Sequence, residues 1–279
     1  MSKILSDLLN GAASLLLIIS LFSCSGKSNG GNADSDSVIV DLGSVAYPDL
    51  DVKHTVFKDT YNGNLMVCCR SMIVDIPESD NKALNDSICT WIVNNLYSVN
   101  EYKGDIEDFK SIFKHLVKEF KVFCRERDNE MSKIYEPDAY LGEGECSVRF
   151  TKVWENEFLV SYYCYHNIFY PGGTHGLNFD AGATFMKSSG EKLSWDIFTD
   201  RKRILSQYKK SVKIFYDQYD HDMGKVALPS SGFYVCSRGF VLSDSGLSLD
   251  GLDYPCDTIP FSELKDIMTD EVKQLLKVE

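Results

Sequence analysis

A chain of 279 residues with 44% hydrophobic content is long enough, and apolar enough, to bury one large domain or two small lobes, which excludes a wholly disordered protein. Its net charge of −12 disfavours nucleic acid and anionic lipid heads as partners; it favours solubility and, where a partner exists, a cationic one. The first element in chain order is an apolar run, Gly11 to Phe22, preceded by Lys3 as its only cation. At about a dozen residues it is too short to span roughly 30 Å of hydrocarbon, so 1–23 reads as a secretion signal rather than a membrane helix. It ends in Leu21-Phe22-Ser23-Cys24, a lipobox-like site whose Cys24 would receive a lipid. Residues 24–37, rich in Ser, Gly, Asn and Asp, cannot bury a core and read as a flexible tether. Loss of 1–23 removes one Lys and one Asp, so the charge is unchanged.

Residues 52–76 predict two strands around a turn at Asn62-Gly63-Asn64. A helix capped by Ser79 or Asp80 follows to about Tyr97, with Leu84, Ile88, Ile92 and Leu96 on one stripe. A second amphipathic helix is predicted from Asp105 to about Arg127. Residues 146–187 read as strands, with a hairpin through Asn156; a helix is predicted from about Ser194 to Asp220, then strands at 233–242 and a final helix after Pro260. Clustered rather than alternating elements predict an α+β fold of small antiparallel sheets packed by helices, divisible into lobes 38–140 and 141–279.

Eight cysteines follow Cys24. Export permits disulfides, and eight cysteines allow 105 connectivities, yet the density is low for a disulfide scaffold, so one or two bridges at most are expected. Cys89 and Cys124 fall on buried helix stripes, and neighbouring Cys68 and Cys69 must point to opposite faces of a strand. No C-x-x-C pair occurs, so no zinc knuckle or other metal site is expected, and no cofactor motif is present. Gly26-Lys27-Ser28 imitates the end of a phosphate loop but lacks the upstream glycine and strand.

The stretch Tyr170-Pro171-Gly172-Gly173-Thr174-His175-Gly176, continuing to Asp180, is the most distinctive. One reading makes His175 a metal ligand or general base with His166 and Asp180 as helpers. The other, which the unusual histidine spacing favours, makes this a structural loop whose histidine bonds a backbone carbonyl and whose glycines 172, 173 and 176 take positive φ or tight packing. Asp217, Asp220, His221 and Asp222 read as a solvated helix end rather than a cation site.

With its Tyr- and Phe-rich strand, the Gly-Gly-Thr-His-Gly loop, Asn178-Phe179-Asp180, Leu193–Phe198 and the ending Ile259–Leu264, the chain resembles the RsiV-like domain (domain of unknown function 3298) over about 146–275. Residues 38–140 are similar to a PdaC-like companion region. The resemblance implies an extracytoplasmic α+β module, which in some relatives senses lysozyme and in others accompanies a peptidoglycan deacetylase whose catalytic domain is not seen here. The segment 243–257 departs from the family pattern. The expectation is a lipid-anchored binding or sensing module of the cell envelope, periplasmic or at the outer-membrane surface. It would be held to the membrane through Cys24 and would meet a basic protein such as lysozyme, or peptidoglycan, with no nucleic acid. Its candidate binding residues are Tyr170, Gly172, Gly173, His175, Gly176 and Asp180, and no catalytic residue is assigned. The alternative is an envelope glycan hydrolase or deacetylase-type enzyme using His175.

Overall fold

The computed structural model describes residues 47–96, 102, 104–136, 139–171, 176–218, 226–242 and 257–278, with the backbone alone for 214–218 and 257. The leader, Cys24, the tether, Gly172, Gly173, His175, Asp220, His221 and Asp222 lie outside the described residues.

Strands β1 (Asp51–Asn62) and β2 (Met66–Glu78) form an antiparallel hairpin whose register places Phe57 opposite Met72 and His54 opposite Asp75. Two helices follow, α1 (Lys82–Asn94) and α2 (Phe109–Met131). They return the chain so that β3 (Gly142–Glu155) lies parallel to β2. Strands β4 (Leu159–Phe169) and β5 (Leu177–Met186) then extend the sheet antiparallel, giving the order β1-β2-β3-β4-β5. The α+β class stands, with one correction: the sheet is mixed rather than antiparallel throughout. The parallel pair needs a crossover, and α1 with α2 supplies it. Strands from both sides of residue 140 therefore share one sheet and one core cluster, in which Met72 and Val74 pack with Phe150 and Tyr162.

Both helices cover one face. Leu84, Ile88 and Ile92 of α1 and Phe109, Ile112 and Leu116 of α2 bury against it, and Trp91 meets Phe150 and Phe185 edge-on at 5.9 and 6.3 Å. The α1 cap is Asn81, whose Oδ1 accepts from the Leu84 amide at 3.3 Å; Ser79, an expected cap, donates instead to Asn85 Oδ1 at 2.8 Å. Helix α2 begins four residues later than expected because the Asp108 carboxylate caps it, accepting from Ser111 N at 3.0 Å. At its far end the buried Asp128 carboxylate accepts from the Asn64 and Leu65 amides, at 2.8 and 3.0 Å, and so closes the β1–β2 turn.

The remaining chain packs on the other, outer face. A 3-10 turn (Trp195–Ile197) and α3 (Arg201–Gln218) precede a three-stranded antiparallel sheet of β6 (Tyr234–Cys236), β7 (Gly239–Leu242) and β8 (Asp257–Pro260). The final helix is broken into α4 (Phe261–Leu264), a 3-10 turn (Lys265–Ile267) and α5 (Asp270–Leu276), the last capped by Thr269. Phe198, Phe233, Phe240 and Phe261 interlock around Phe240 at 5.0 to 5.4 Å. Docking onto the large sheet is specific: Val235 N donates to Thr184 Oγ1 at 2.8 Å, and Tyr234 lies where a side chain on Gly182 would stand, 2.0 Å from a built Cβ.

Candidate functional site

The sheet decides which candidate residues can act together, because alternate residues of a strand face opposite sides. On β4, Val160, Tyr162 and Cys164 belong to the core under the helices, and His166 continues that series. Its direct partner on β5 is Phe179, stacked on the imidazole at 4.1 Å. Asp180 pairs with Tyr165 instead and so lies on the outer face. The two residues expected to assist His175 are therefore separated by the thickness of the sheet.

His166 is 2% exposed, and its Nε2 donates to the carbonyl of Asn95 at the end of α1, 2.8 Å away. Burial pushes its pKa down to about 3, with the Arg70 charge acting in the same direction and the Asn95 hydrogen bond opposing both. It is a neutral core histidine that ties α1 to β4. Tyr170, one of the candidate binding residues, joins the helix side as well: its ring packs 4.7 Å from that of Phe123, beside the cluster of Met66, Phe120 and Cys124, and burial raises the phenol pKa.

On the outer face, Asp180 is 4% exposed and its Oδ2 accepts from the Tyr163 hydroxyl at 3.2 Å. The Tyr163 ring lies 5.7 Å from that of Tyr234, so β6 shares this polar cluster with β4 and β5. Tyr165, 37% exposed, stands beside Arg149 on β3 on the same face. Gly176, expected at positive φ or in tight packing, is not tightly packed: a Cβ there would meet no atom closer than 3.4 Å. Within the candidate loop, Pro171 is buried and Gly176 half-buried, flanking the residues outside the described set.

Three polar groupings escaped the sequence. On the outer face His54 Nδ1 meets Asp75 Oδ1 at 2.8 Å, while Asp75 Oδ2 accepts the Lys152 amide at 3.0 Å beside the β3 bulge. The hairpin register that the Asn62-Gly63-Asn64 turn imposes would have brought this pair together, had it been followed along both strands. At the end of the sheet Lys187, 2% exposed, and Lys152 both bind Glu155. Burial opposes ionisation of Glu155, but the two ammonium groups and the Leu50 amide outweigh it and lower its pKa. Nothing in the local pattern marks Lys187 as buried. Third, the buried Arg70 guanidinium lies against the Cys146 thiol.

A cleft of about 780 Å³ opens between the starts of β1 and α1. Asp49, Asp51, Glu78 and Asp80 line it together with Asn81 and Lys187. The Lys187 ammonium is occupied by Glu155 and by the Pro48 carbonyl at 3.0 Å. Among the described residues no group of three or more His, Cys, Asp or Glu side chains is placed to hold a metal ion, and no helix is long and apolar enough to cross a membrane.

No protein-family model matches the sequence, and no curated protein is similar to it. Among solved structures, a member of the DUF3298 family from Bacteroides fragilis is similar with a TM-score of 0.60 at 14% identity, over 82% of this chain and 98% of that one. A DUF3298 family protein from Pseudomonas aeruginosa PAO1 aligns over the same shares with a TM-score of 0.47 at 10% identity. At such identity the first likeness shows a fold shared with a protein of that family.

Proposed function

We propose that this chain is a DUF3298-type, RsiV-like binding or sensing module, tethered by lipid at Cys24 to the outside of a bacterial membrane, and that it meets its ligand on the exposed part of the outer face, at Arg149 of β3 and Tyr165 of β4. The observation that carries the reading is the separation of His166 from Asp180. A hydrolase built on His175 would draw both helpers into one site, and the sheet holds them apart, each engaged in a structural hydrogen bond. The outer face instead exposes Tyr165 and Arg149 beside the hydrogen-bonded Tyr163–Asp180 pair, an aromatic and a hydrogen-bonding group of the kind from which protein and glycan contacts are made. The signal, lipobox and tether support the anchoring; the shared fold supports the family.

The ligand class that fits a charge of −12 is a cationic wall-degrading protein of the lysozyme type. Complementary charge mainly speeds encounter and is screened over about 8 Å at physiological salt, so a specific site must add packed contacts. Two measurements test this. Replacing Cys24 with Ser should release the protein from membranes or leave an uncleaved precursor; a matured, membrane-bound product contradicts anchoring. Titration of residues 45–279 with a basic lysozyme should show saturable binding that survives about 0.15 M salt and weakens roughly tenfold in Tyr165→Ala. Binding that disappears with salt, or that any basic protein of the same size reproduces, contradicts a specific site.

A further inference from the structure

Three thiols meet between the sheet and α2. Cys68 of β2, Cys124 of α2 and Cys146 of β3 share one small core cluster with Met66 and Phe120, and none is more than 3% exposed. All seven described cysteines carry free thiols. Strand alternation turns Cys68 toward the helices, and Cys124 follows Phe120 by one turn on the buried stripe of α2. Cys124 is the neighbour that acts most strongly on the Cys68 thiol, lowering its pKa, and Cys68 in turn raises that of Cys124. Room for that sulfur comes from Gly144, its direct neighbour on β3: a Cβ there would stand 3.0 Å from Cys68 Sγ.

Geometry removes the Cys68–Cys146 pairing. Cys146 is one strand across and two residues along from Cys68. That diagonal separates the Cα atoms by about 8 Å, beyond the roughly 7 Å a disulfide can bridge. Cys146 faces Arg70 instead. Cys69 points to the outer face, Cys89 and Cys164 belong to the larger cluster, and Cys236 lies in the small sheet.

We propose that Cys68 and Cys124 are a disulfide-forming pair, which on oxidation staples α2 to β2. The co-reactant is a disulfide donor, RSSR. The Cys68 thiolate attacks one of its sulfurs, forming a mixed disulfide and releasing RS⁻, which takes up the proton Cys68 lost. Cys124, giving up its own proton, then attacks the Cys68 sulfur and expels the second RS⁻, which leaves as RSH. Two protein thiols are oxidised by two electrons, and one donor disulfide is reduced to two thiols. Before α2 closes over β2 both thiols are reachable, so the two roles exchange without changing the product or the balance. Since both sulfurs are sealed in the folded core, exchange takes place before α2 closes over β2, and the finished bond is shielded from reductants.

In the cell the bridge rests on the export reading, which supplies an oxidising compartment; in vitro it does not. The full chain is refolded in a buffer of reduced and oxidised glutathione, alkylated under denaturing conditions and mapped by mass spectrometry. The expected result is a Cys68–Cys124 cross-linked peptide, two fewer alkylated thiols than after full reduction, and alkylated Cys146. The melting temperature should exceed that of the reduced protein by roughly 5–15 °C. Cys146→Ser should keep the bridge and Cys124→Ser should lose it. Full alkylation of Cys68 and Cys124 in the refolded wild type, or a bridge joining either of them to another cysteine, overturns the proposal whatever the variants do. A bridge that forms in the redox buffer supports the pairing even where cellular protein is fully reduced; that combination counts against export alone.

Discussion

The two faces of the five-stranded sheet are built on different principles. The helix face is closed by α1 and α2 with apolar side chains, and two of its polar groups, His166 and Asp128, are satisfied by backbone partners. The outer face is polar, and the small C-terminal sheet seats on it through single contacts, Tyr234 on Gly182 and Val235 on Thr184. Nearer β1 the outer face is open: Val56 is 59% exposed, and His54 and Lys58 are exposed beside it. Such a division places a closed apolar core on one side and leaves hydrogen-bonding surface on the other, the side on which the proposed binding site lies.

The comparison breaks most readily where the small sheet docks. Gly182→Val would drive a side chain into the Tyr234 ring, and we expect a loss of about 3 kcal/mol, read from the urea midpoint. If stability holds within 0.5 kcal/mol, a roughly drawn threshold for surface changes, the docking contact is not the anchor described. On the helix face, Asp128→Ala strips two amides of the β1–β2 turn of their acceptor and should cost about 2 kcal/mol by the same measurement.

His166 sharpens the comparison through pH. Its folded pKa, about 3, lies below the unfolded value of 6.5, so the unfolded chain binds the proton first. The contribution of the neutral histidine is fully present above pH 6.5 and is lost as pH falls toward 3. Stability should decline in that window with a histidine component of about 1.4 kcal/mol per pH unit, and His166→Leu should remove this component of the slope. An identical slope in wild type and variant denies the burial argument. The smallest effect belongs to the open end: Val56→Thr should change stability by less than about 0.5 kcal/mol, and a larger loss would mean that this face is covered.

The elements were legible wherever a period ran unbroken. The stripe of Leu84, Ile88 and Ile92 is where its spacing put it, and Cys68 and Cys69 part to opposite faces as alternation requires. Boundaries slipped where one polar side chain outcompeted another, as with Asn81 over Ser79 at the start of α1. The parallel β2–β3 pairing could not be read, because it depends on how a two-helix crossover returns rather than on any residue in either strand. Of the candidate site, Asp180 and Tyr170 could be named but not placed, since face depends on register and one residue of slip exchanges the two sides. Lys187 and Glu155 find each other only through the β4–β5 end of the sheet, 32 positions being too far apart for any local pattern to join.

The separation of the two polar systems is tested most directly on the histidine itself. In residues 45–279 labelled on histidine nitrogen, the imidazole of His166 is followed by NMR from pH 8 to pH 4 together with the Tyr163 ring. The account predicts a single neutral tautomer with the proton on Nε2 throughout, and no response of Tyr163 to the state of His166. A titration of His166 near 6.5 that moves the Tyr163 signals in step would join what the sheet is said to divide, and would contradict the account.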